Sequence, residues 1–332
     1  MNALNAAPAN EISELAARIR TGTPIAIGSI TLVPLTSEGD GLQADLLEEG
    51  IARAHTTVTE IGVQGSVNLL SVHHQGPQVL LLLDGEEVVG AKQNRVFNAS
   101  FLVPPGATVQ IPVSCVEHGR WHYRSAMFGS SGRTLTSCAR SSKLCRTSNS
   151  VTTSGHYDAD QQAVWSDVAC YLERTETRSP TAAFADAAER RLSIVECRIP
   201  ESLPGQTGVA VVQGDKLVSI DILGSADLFR RSWKKIARGI LAEVYDKSPP
   251  ATDAVATVRV AVSQPASIPV VRKTPPGCGG DPARQARPSR GRDRARREGV
   301  SCWPGPPSDA SPDSCRLRAL WATGEQGGAY MS

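Results

Sequence analysis

Residues 79–121 read VLLLLDGEEVVGAKQNRVFNASFLVPPGATVQIPVSCVEHGRW, and this stretch decides the fold and holds the candidate site. Polar and charged residues are packed here between strongly apolar runs. Asp84-Gly85 lies between two of these runs, which is a strong signal for a β-hairpin. The sequence therefore predicts that residues 78–83 and 86–91 pair through this turn, beside a strand that ends near Cys115.

Further strands and several helices are predicted around this stretch. Predicted strands cover residues 23–35, 56–61, 66–73, 78–83, 86–91, 95–103 and 108–115, and a second hairpin over 208–223 turns at Gly214-Asp215. Apolar residues at helical spacing predict helices over 11–20, 41–54, 160–174, 179–196 and 226–245. Ser179 and Pro180 look like the N-cap and first residue of the fourth helix.

These elements predict an α+β fold, with a central, mostly antiparallel sheet and packed helices in a single domain over residues 11–277. Residues 129–155 are rich in Ser, Thr, Gly and Arg, so we expect a mobile loop or a partly disordered segment there. The basic side chains of the helix over 226–245 are expected to form a solvated face opposite its apolar one.

The composition is that of a soluble globular protein: 332 residues, 40% hydrophobic and 20% charged. The 35 basic and 33 acidic residues give a net charge of +2, which argues against nucleic acid or an anionic membrane as a partner. No apolar run reaches the roughly 18 residues of a membrane helix, and the N-terminus lacks a secretory signal pattern. We therefore expect a cytoplasmic protein whose 8 cysteines remain thiols.

The sequence changes character at Cys278. Residues 278–332 have no apolar periodicity and are rich in Arg, Pro, Gly, Ser and Cys. A shifted reading frame in GC-rich DNA produces this composition, and we prefer that interpretation. A functional basic tail around residues 284–297 and ordinary disorder are the alternatives. In each case the tail is predicted to be disordered.

A compact polar set follows the apolar strand that begins at Glu86. Lys92 and Arg95 suit a phosphate or pyrophosphate, because arginine offers a bidentate fork of donors. Gln93, Asn94 and Asn98 extend this candidate ligand-binding set. Glu86, a carboxylate on a strand beside these cations, is a candidate catalytic residue. The alternative is a polar bend whose side chains cap the backbone.

A second polar set ends the strand at Cys115. Glu117 is the other candidate catalytic residue, Arg120 can bind an anion, and Trp121 offers a stacking surface. A buried strand end with a structural Glu117–Arg120 pair is an equally weighted alternative, and a Cys115–His118 nucleophile is less favoured. We predict that one concave surface gathers the side chains of Glu86, Lys92, Asn94, Arg95, Glu117, Arg120 and Trp121.

Neither a metal nor a cofactor is predicted. Adjacent side chains of a strand point to opposite faces, so His73 and His74 cannot share an ion without distortion. The segment GSSGR at 129–133 is interpreted as loop, because no strand precedes it and no helix follows it. The sequence contains no nucleophile elbow, no P-loop and no dinucleotide-binding fingerprint.

The central stretch resembles the ARG and Rhodanese-Phosphatase-superfamily-associated protein domain, a bacterial family of unknown activity. The matching segments are LLLDGEEVVGAKQNR (81–95), IPVSCVEHGRW (111–121), DQQAVW (160–165), SPTAAF (179–184) and GVAVVQGDKLVSIDILGS (208–225). The resemblance covers residues 11–277, and the chain departs from the family pattern at Cys278.

The resemblance implies a link to ADP-ribosylglycohydrolases and phosphatases, and hence to NAD or ADP-ribose metabolism. Two hypotheses follow: the protein acts on a nucleotide-type phosphorylated ligand, or it is a non-catalytic binding or regulatory partner of an ADP-ribose-processing enzyme. The sequence leaves open whether it is an enzyme.

Overall fold

The computed structural model describes residues 17–38, 41–62, 64–214, 216–244 and 250–263, and the backbone of 317–320. The strands are β1 (Arg20–Thr21), β2 (Ile25–Ile27), β3 (Ile30–Thr36), β4 (Ala44–Leu46), β5 (Thr56–Glu60), β6 (Leu69–His74), β7 (Val79–Leu82), β8 (Glu86–Gly90), β9 (Arg95–Phe97), β10 (Phe101–Val103), β11 (Thr108–Cys115), β12 (Phe128–Thr134), β13 (Gly208–Gln213), β14 (Lys216–Leu223) and β15 (Leu317–Leu320). The α-helices are α1 (Leu47–Ala52), α2 (Ser137–Ser154), α3 (Gln161–Arg174), α4 (Phe184–Val195), α5 (Ala226–Leu241) and α6 (Ala254–Ser263), and a 3-10 turn (Glu196–Arg198) follows α4.

The strands form three sheets. The first has the order β1-β3-β13-β14-β15, with β2 also paired to β3; the second is β10-β7-β4, and the third is β12-β8-β9-β11-β6-β5. Within the described residues, only β4–β7 and β14–β15 pair in parallel. The α+β class with mostly antiparallel sheets is therefore confirmed, although three sheets replace the single central one we predicted.

The predicted hairpin at Asp84-Gly85 is wrong. The chain does turn there, since the backbone N–H of Glu86 donates to the carbonyl of Leu83 at 3.1 Å and Gly85 has a φ of 67°. However, β7 pairs with β10 and β4, whereas β8 pairs with β9 and β12. Both edges of β7 are occupied by other strands, so the turn carries the chain from one sheet to the next. The local signal thus predicted the turn and not the pairing partner.

The loop predicted over residues 129–155 is also wrong, because this segment forms β12 and α2. The GSSGR segment lies within β12, which pairs with β8 around an irregularity between Ser130 and Thr134. Helix α2 buries basic side chains in place of an apolar stripe: Arg140 donates to Asp221 Oδ1 at 2.7 Å, and Lys143 donates to Asp84. The low apolar content that suggested a loop therefore reflects a helix held by buried ion pairs.

Several element boundaries differ from prediction. Residues 44–46 of the predicted first long helix form β4, and only 47–52 are helical. Helix α4 begins at Phe184, because Ser179 Oγ accepts from the N–H of Ala183 in the preceding turn and does not cap the helix. The second hairpin is confirmed by the antiparallel pairing of β13 with β14. Most of the helix predicted over 11–20 lies outside the described residues.

Alternation along β3 and β13 explains how the first sheet is covered on both faces. Leu32 and Val209 face a core that includes Phe229 and Ile236 of α5. Their chain neighbours Val33 and Ala210 face the opposite way, toward a cluster that contains Val258 of α6. Successive side chains of a strand point to opposite faces, so both faces need apolar residues when helices cover both. The third sheet curls around its own apolar cluster, built mainly from strands β5 to β11.

The prediction that residues 278–332 are disordered fails for one short segment. The backbone of residues 317–320 forms β15, which pairs in parallel with Ile220–Leu223 of β14. The rest of the predicted disordered segment lies outside the described residues. The expectation that all cysteines remain thiols needs one correction: Cys115, Cys138, Cys170 and Cys197 form no disulfide, but Cys145 is disulfide-bonded.

Candidate functional site

The candidate site lies where three chain segments meet: the β8–β9 connection, the start of β9 and the residues after β11. The N–H of Val116 donates to the carbonyl of Asn94 at 3.1 Å, and the N–H of Arg124 donates to the carbonyl of Ala91 at 2.9 Å. The Gly119 N–H donates to Thr181, so the segment before α4 also packs here. Backbone bonds therefore fix the loop after β11 against the β8–β9 connection.

Glu117 is fully buried and its carboxylate is saturated with hydrogen bonds. Oε1 accepts from Arg120 Nε and Thr181 Oγ1, both at 2.9 Å, and Oε2 accepts from Arg120 Nη2 at 2.6 Å and the Asn94 N–H at 3.1 Å. Burial alone would raise the pKa of Glu117, but these hydrogen bonds hold that pKa below its usual value. A carboxylate held ionised by four donors is not poised to transfer a proton.

Arg120 is the structural partner of Glu117. Besides its two bonds to that carboxylate, it donates to the carbonyls of Ala91 at 2.7 Å, His122 at 3.0 Å and Gly90 at 3.3 Å, and to Asn94 Oδ1 at 3.2 Å. All three guanidinium nitrogens are thus occupied. The structure agrees with the alternative of a buried Glu117–Arg120 pair, which leaves no Arg120 donor for an anion.

Arg95 is equally buried but lacks such partners. Its Nη1 donates to Gln93 Oε1 at 2.8 Å, whereas Nε and Nη2 have no hydrogen-bond acceptor among the described residues. The nearest carboxylate oxygen, Glu60 Oε1, is 4.0 Å from Nη2. Burial lowers the pKa of Arg95, partly opposed by Cys115 and Glu60. Unsatisfied buried donors are rare in native proteins, so we expect a ligand or an ordered water to accept hydrogen bonds from these two N–H groups.

Glu60 is a buried carboxylate of the cluster that the sequence analysis missed. It ends β5, and its Oε2 is buried without a hydrogen-bond donor in the described part of the chain. The alternation of TTVTE places Glu60 on the same buried face as Val58. A carboxylate at the inward position of an alternating strand was the signal that could have identified it.

Cys115 lies beside Arg95 as a protonated thiol. Its Sγ donates to Gln93 Oε1 at 3.0 Å and to the carbonyl of Glu117 at 3.3 Å. Burial raises the pKa of Cys115 despite the nearby Arg95 charge. His118 stacks on Trp165 with the ring centroids 4.2 Å apart. In the described part of the chain, Cys115 makes no hydrogen bond to His118, so the thiol–imidazole pair of a nucleophilic cysteine is not formed between these two residues.

Two exposed aromatic residues form the outer rim of the site. Trp121 is 46% exposed on one side, and on the other its ring lies 5.5 Å from Arg95 Cζ. Lys92 Nζ lies between the rings of Trp121 and Tyr123, at 5.2 and 5.1 Å from their centroids. Cation–π contacts at exposed sites contribute only about 0.5–1 kcal/mol, so they orient the two rings without fixing them. Trp121 therefore covers the buried Arg95 guanidinium at the protein surface.

Two predicted site residues are engaged elsewhere. Glu86 accepts from Lys235 Nζ at 2.5 Å, although it lies only two residues along β8 from Val88, the register partner of Arg95. Asn98 bonds Tyr157 and Ser114 at 2.8 and 2.7 Å, and its carbonyl accepts from Lys143. The other predicted residues, Lys92, Gln93, Asn94, Arg95, Glu117, Arg120 and Trp121, are linked through the contacts described above.

The predicted solvated basic face of α5 is only partly present: the side chains of Arg230 and Lys234 are 64% and 70% exposed, whereas the other three basic residues are more buried and paired with carboxylates. Lys235 is buried against Glu48 and Glu86, Arg231 donates to Glu49 at 2.6 Å, and Arg238 donates to Glu196 at 2.7 Å. In the described part of the chain, no group of three or more His, Cys, Asp or Glu residues is arranged to hold a metal ion. Among the same residues, no helix has the length and apolar character needed to cross a bilayer.

Because Glu117 is ionised in the folded protein, we expect the free energy of unfolding to depend on its protonation at acidic pH. Its pKa is lower in the folded state, so its contribution to stability is present above the usual glutamate pKa and is lost as the pH falls toward the folded pKa. Below about pH 4.3, the wild type should lose unfolding free energy more steeply than Glu117→Gln. Urea unfolding of both proteins between about pH 3 and 6 measures this difference. Parallel pH profiles would contradict the assigned ionisation.

The fold and the site together define an α+β protein with a buried polar cluster around Arg95, Glu117 and Arg120. The sequence matches the family described as ARPP-1, the ARG and Rhodanese-Phosphatase-superfamily-associated Protein domain, over residues 18–293, and the chain belongs to this family. The match runs beyond Gly277, where we predicted that the family pattern ends. No curated protein and no solved structure shows a significant match.

Proposed function

We propose that this protein is a non-catalytic binding module for a small phosphorylated, nucleotide-type ligand. The observation that supports it is the pair of unsatisfied Arg95 donors beneath a half-exposed tryptophan. A phosphate can accept both N–H groups, because guanidinium offers a planar fork that matches its oxygens. Movement of the Trp121 side chain gives access to Arg95, and the indole then offers its face to a base.

The chemistry of the carboxylates and the thiol favours binding over catalysis. Glu117 is ionised and bonded by four donors, Cys115 is a protonated thiol, and Glu86 is paired with Lys235. General acid–base catalysis needs a group that can change protonation within reach of the reacting atom. The enzyme hypothesis of the sequence analysis is therefore the weaker one for this site.

Arg95→Met should abolish ligand binding while leaving the fold intact. ADP-ribose and NAD are the first probes, since the family resemblance points to them, and ADP, ribose 5-phosphate and inorganic phosphate separate the base from the phosphate. Isothermal titration calorimetry should show binding by the wild type and a loss of at least about tenfold in Arg95→Met, because a charged hydrogen-bond pair is removed.

Arg230→Met serves as the control, because Arg230 is an exposed arginine of α5 away from the site. It should bind like the wild type. Trp121→Ala should weaken nucleotides but leave inorganic phosphate unaffected, since only the stacking surface is lost. The proposal fails if none of the phosphorylated probes binds, or if Arg95→Met binds as tightly as Arg230→Met.

The family description also favours a role beside another enzyme. We propose an ADP-ribosylglycohydrolase or a phosphatase as the partner, with the bound nucleotide controlling the association. Analytical ultracentrifugation of the two proteins with and without the ligand tests this point. An association that is absent in both conditions would exclude it for the enzyme tested.

A further inference from the structure

Glu60 and Arg95 are buried side chains of opposite charge that do not bond each other directly. The side chain of Glu60 is 3% exposed and that of Arg95 is fully buried, yet Arg95 Nη2 and Glu60 Oε1 are 4.0 Å apart. A hydrogen bond between nitrogen and oxygen needs about 2.7–3.2 Å. Buried charges without complete hydrogen bonding are costly, so we expect a third group to bond both side chains.

The unsatisfied atoms of these two side chains are of opposite kinds. Among the described residues, Arg95 Nε and Nη2 are donors without an acceptor, and Glu60 Oε2 is an acceptor without a donor. The other oxygen, Glu60 Oε1, accepts from the Lys92 N–H at 3.4 Å. A ligand that satisfied only the arginine would leave the carboxylate oxygen unpaired. A ligand that satisfies both side chains must therefore offer a hydrogen-bond donor as well as an acceptor.

A glycine lies where the neighbouring turn approaches the Glu60 carboxylate. Gly65 has a φ of 73°, and a Cβ at this position would lie 3.1 Å from Glu60 Oε2. Lys92 Nζ donates to the carbonyl of Gln64 at 2.7 Å, so the turn is bonded to the same lysine that lies against the Trp121 ring. The glycine thus keeps a side chain away from the unsatisfied oxygen, close to the rim of the site.

We propose that Glu60 selects the ligand of the Arg95 site by accepting a hydrogen bond from a hydroxyl group of that ligand. The inference rests on the proposed function, because it needs the ligand's phosphate on Arg95. The ligand class is then a phosphorylated sugar or polyol with a free hydroxyl. A hydroxyl fits better than an amine, because Arg95 and Lys92 would repel a further cation. The Glu60 carboxylate in turn disfavours a phosphate ester that brings no donor.

Two phosphate esters of the same ring test this selection. Ribose 5-phosphate carries ring hydroxyls, and tetrahydrofurfuryl phosphate has the same ring and phosphate without them. Isothermal titration calorimetry should show that the wild type binds ribose 5-phosphate about tenfold more tightly, as expected for one hydrogen bond to a charged group.

Glu60→Met should bind the two esters equally, because the acceptor for the hydroxyl is removed. A purely structural role of Glu60 would change both affinities together and leave their ratio as it is in the wild type. The control is Glu201→Met, which replaces an exposed glutamate outside the site segments and should keep the tenfold preference.

Equal affinities of the wild type for the two esters, or a preference that survives in Glu60→Met, would overturn the proposal. If neither ester binds the wild type, the proposal also fails, and the ADP-ribose titration of wild type and Arg95→Met decides separately whether the proposed function fails with it. If Glu60→Met does not fold, Glu60→Gln replaces it. Its amide oxygen keeps the bond from the Lys92 N–H and its amide nitrogen takes the place of Oε2, so the preference should fall below about threefold.

Discussion

Arg120→Met is expected to lower the free energy of unfolding by about 3–5 kcal/mol, the usual cost of removing one partner from a buried ion pair. Glu117 would remain buried with only Thr181 and the Asn94 N–H as donors. The carbonyls of Gly90, Ala91 and His122 would also lose a donor. Because these bonds tie the loop after β11 to the β8–β9 connection, the loop should lose its fixed position as well.

Arg95→Met provides the matched comparison, since Arg95 is an equally buried arginine in the same cluster. Its one hydrogen bond and its long, 4.0 Å ion pair with Glu60 are lost, but two unsatisfied N–H groups and a desolvated charge are removed with them. The expected change is about 1 kcal/mol or less. Urea unfolding followed by circular dichroism measures both variants.

The two arginines thus separate stability from binding. Arg120→Met should be strongly destabilised, whereas Arg95→Met should fold normally and fail to bind. Equal destabilisation by both substitutions would show that Arg95 is also a structural residue. It would remove the main support for a ligand at that position.

The sequence predicted which residues lie together in the candidate site, but it did not predict which of them are structural and which have unsatisfied donors. The density of polar residues between apolar runs placed Glu117, Arg120, Arg95 and Trp121 in one region. Which arginine is saturated depends on backbone carbonyls brought in from the β8–β9 connection, 29 and 30 residues away in the chain. A single sequence carries no signal for such contacts, so both arginines looked like anion ligands.

The same limit explains the missed helix. Periodicity identifies a helix by its apolar stripe, and α5 was predicted from Phe229, Trp233 and Ile236 in this way. Helix α2 instead buries Arg140 and Lys143, whose partners Asp221 and Asp84 lie 81 and 59 residues away. Ion pairs between distant segments satisfy a buried helix face without apolar periodicity. The sequence of α2 therefore looked like a loop.

Lys235→Met is expected to lower the free energy of unfolding by about 3–5 kcal/mol, because it leaves Glu86 buried without its cation. Lys235 Nζ donates to Glu86 Oε1 at 2.5 Å and to Glu48 Oε2 at 2.7 Å. Burial alone would lower the pKa of Lys235, but these two carboxylates raise it, so the ammonium is charged. Glu86 keeps only the Leu83 N–H, at 3.0 Å, when the lysine is removed.

The double variant Glu86→Met/Lys235→Met separates the cost of an unpaired charge from the value of the pair. Replacing both partners by apolar side chains of similar size should recover most of the lost stability, because no buried charge is left without a partner. Urea unfolding of the wild type, the single variant and the double variant measures the recovery. Because Glu86 bonds Lys235 and the Leu83 N–H rather than Arg95, the double variant should still bind any ligand that the wild type binds. A double variant as unstable as Lys235→Met would show that the ion pair itself stabilises the fold. A double variant that folds but no longer binds the ligand would show that Glu86 belongs to the candidate site.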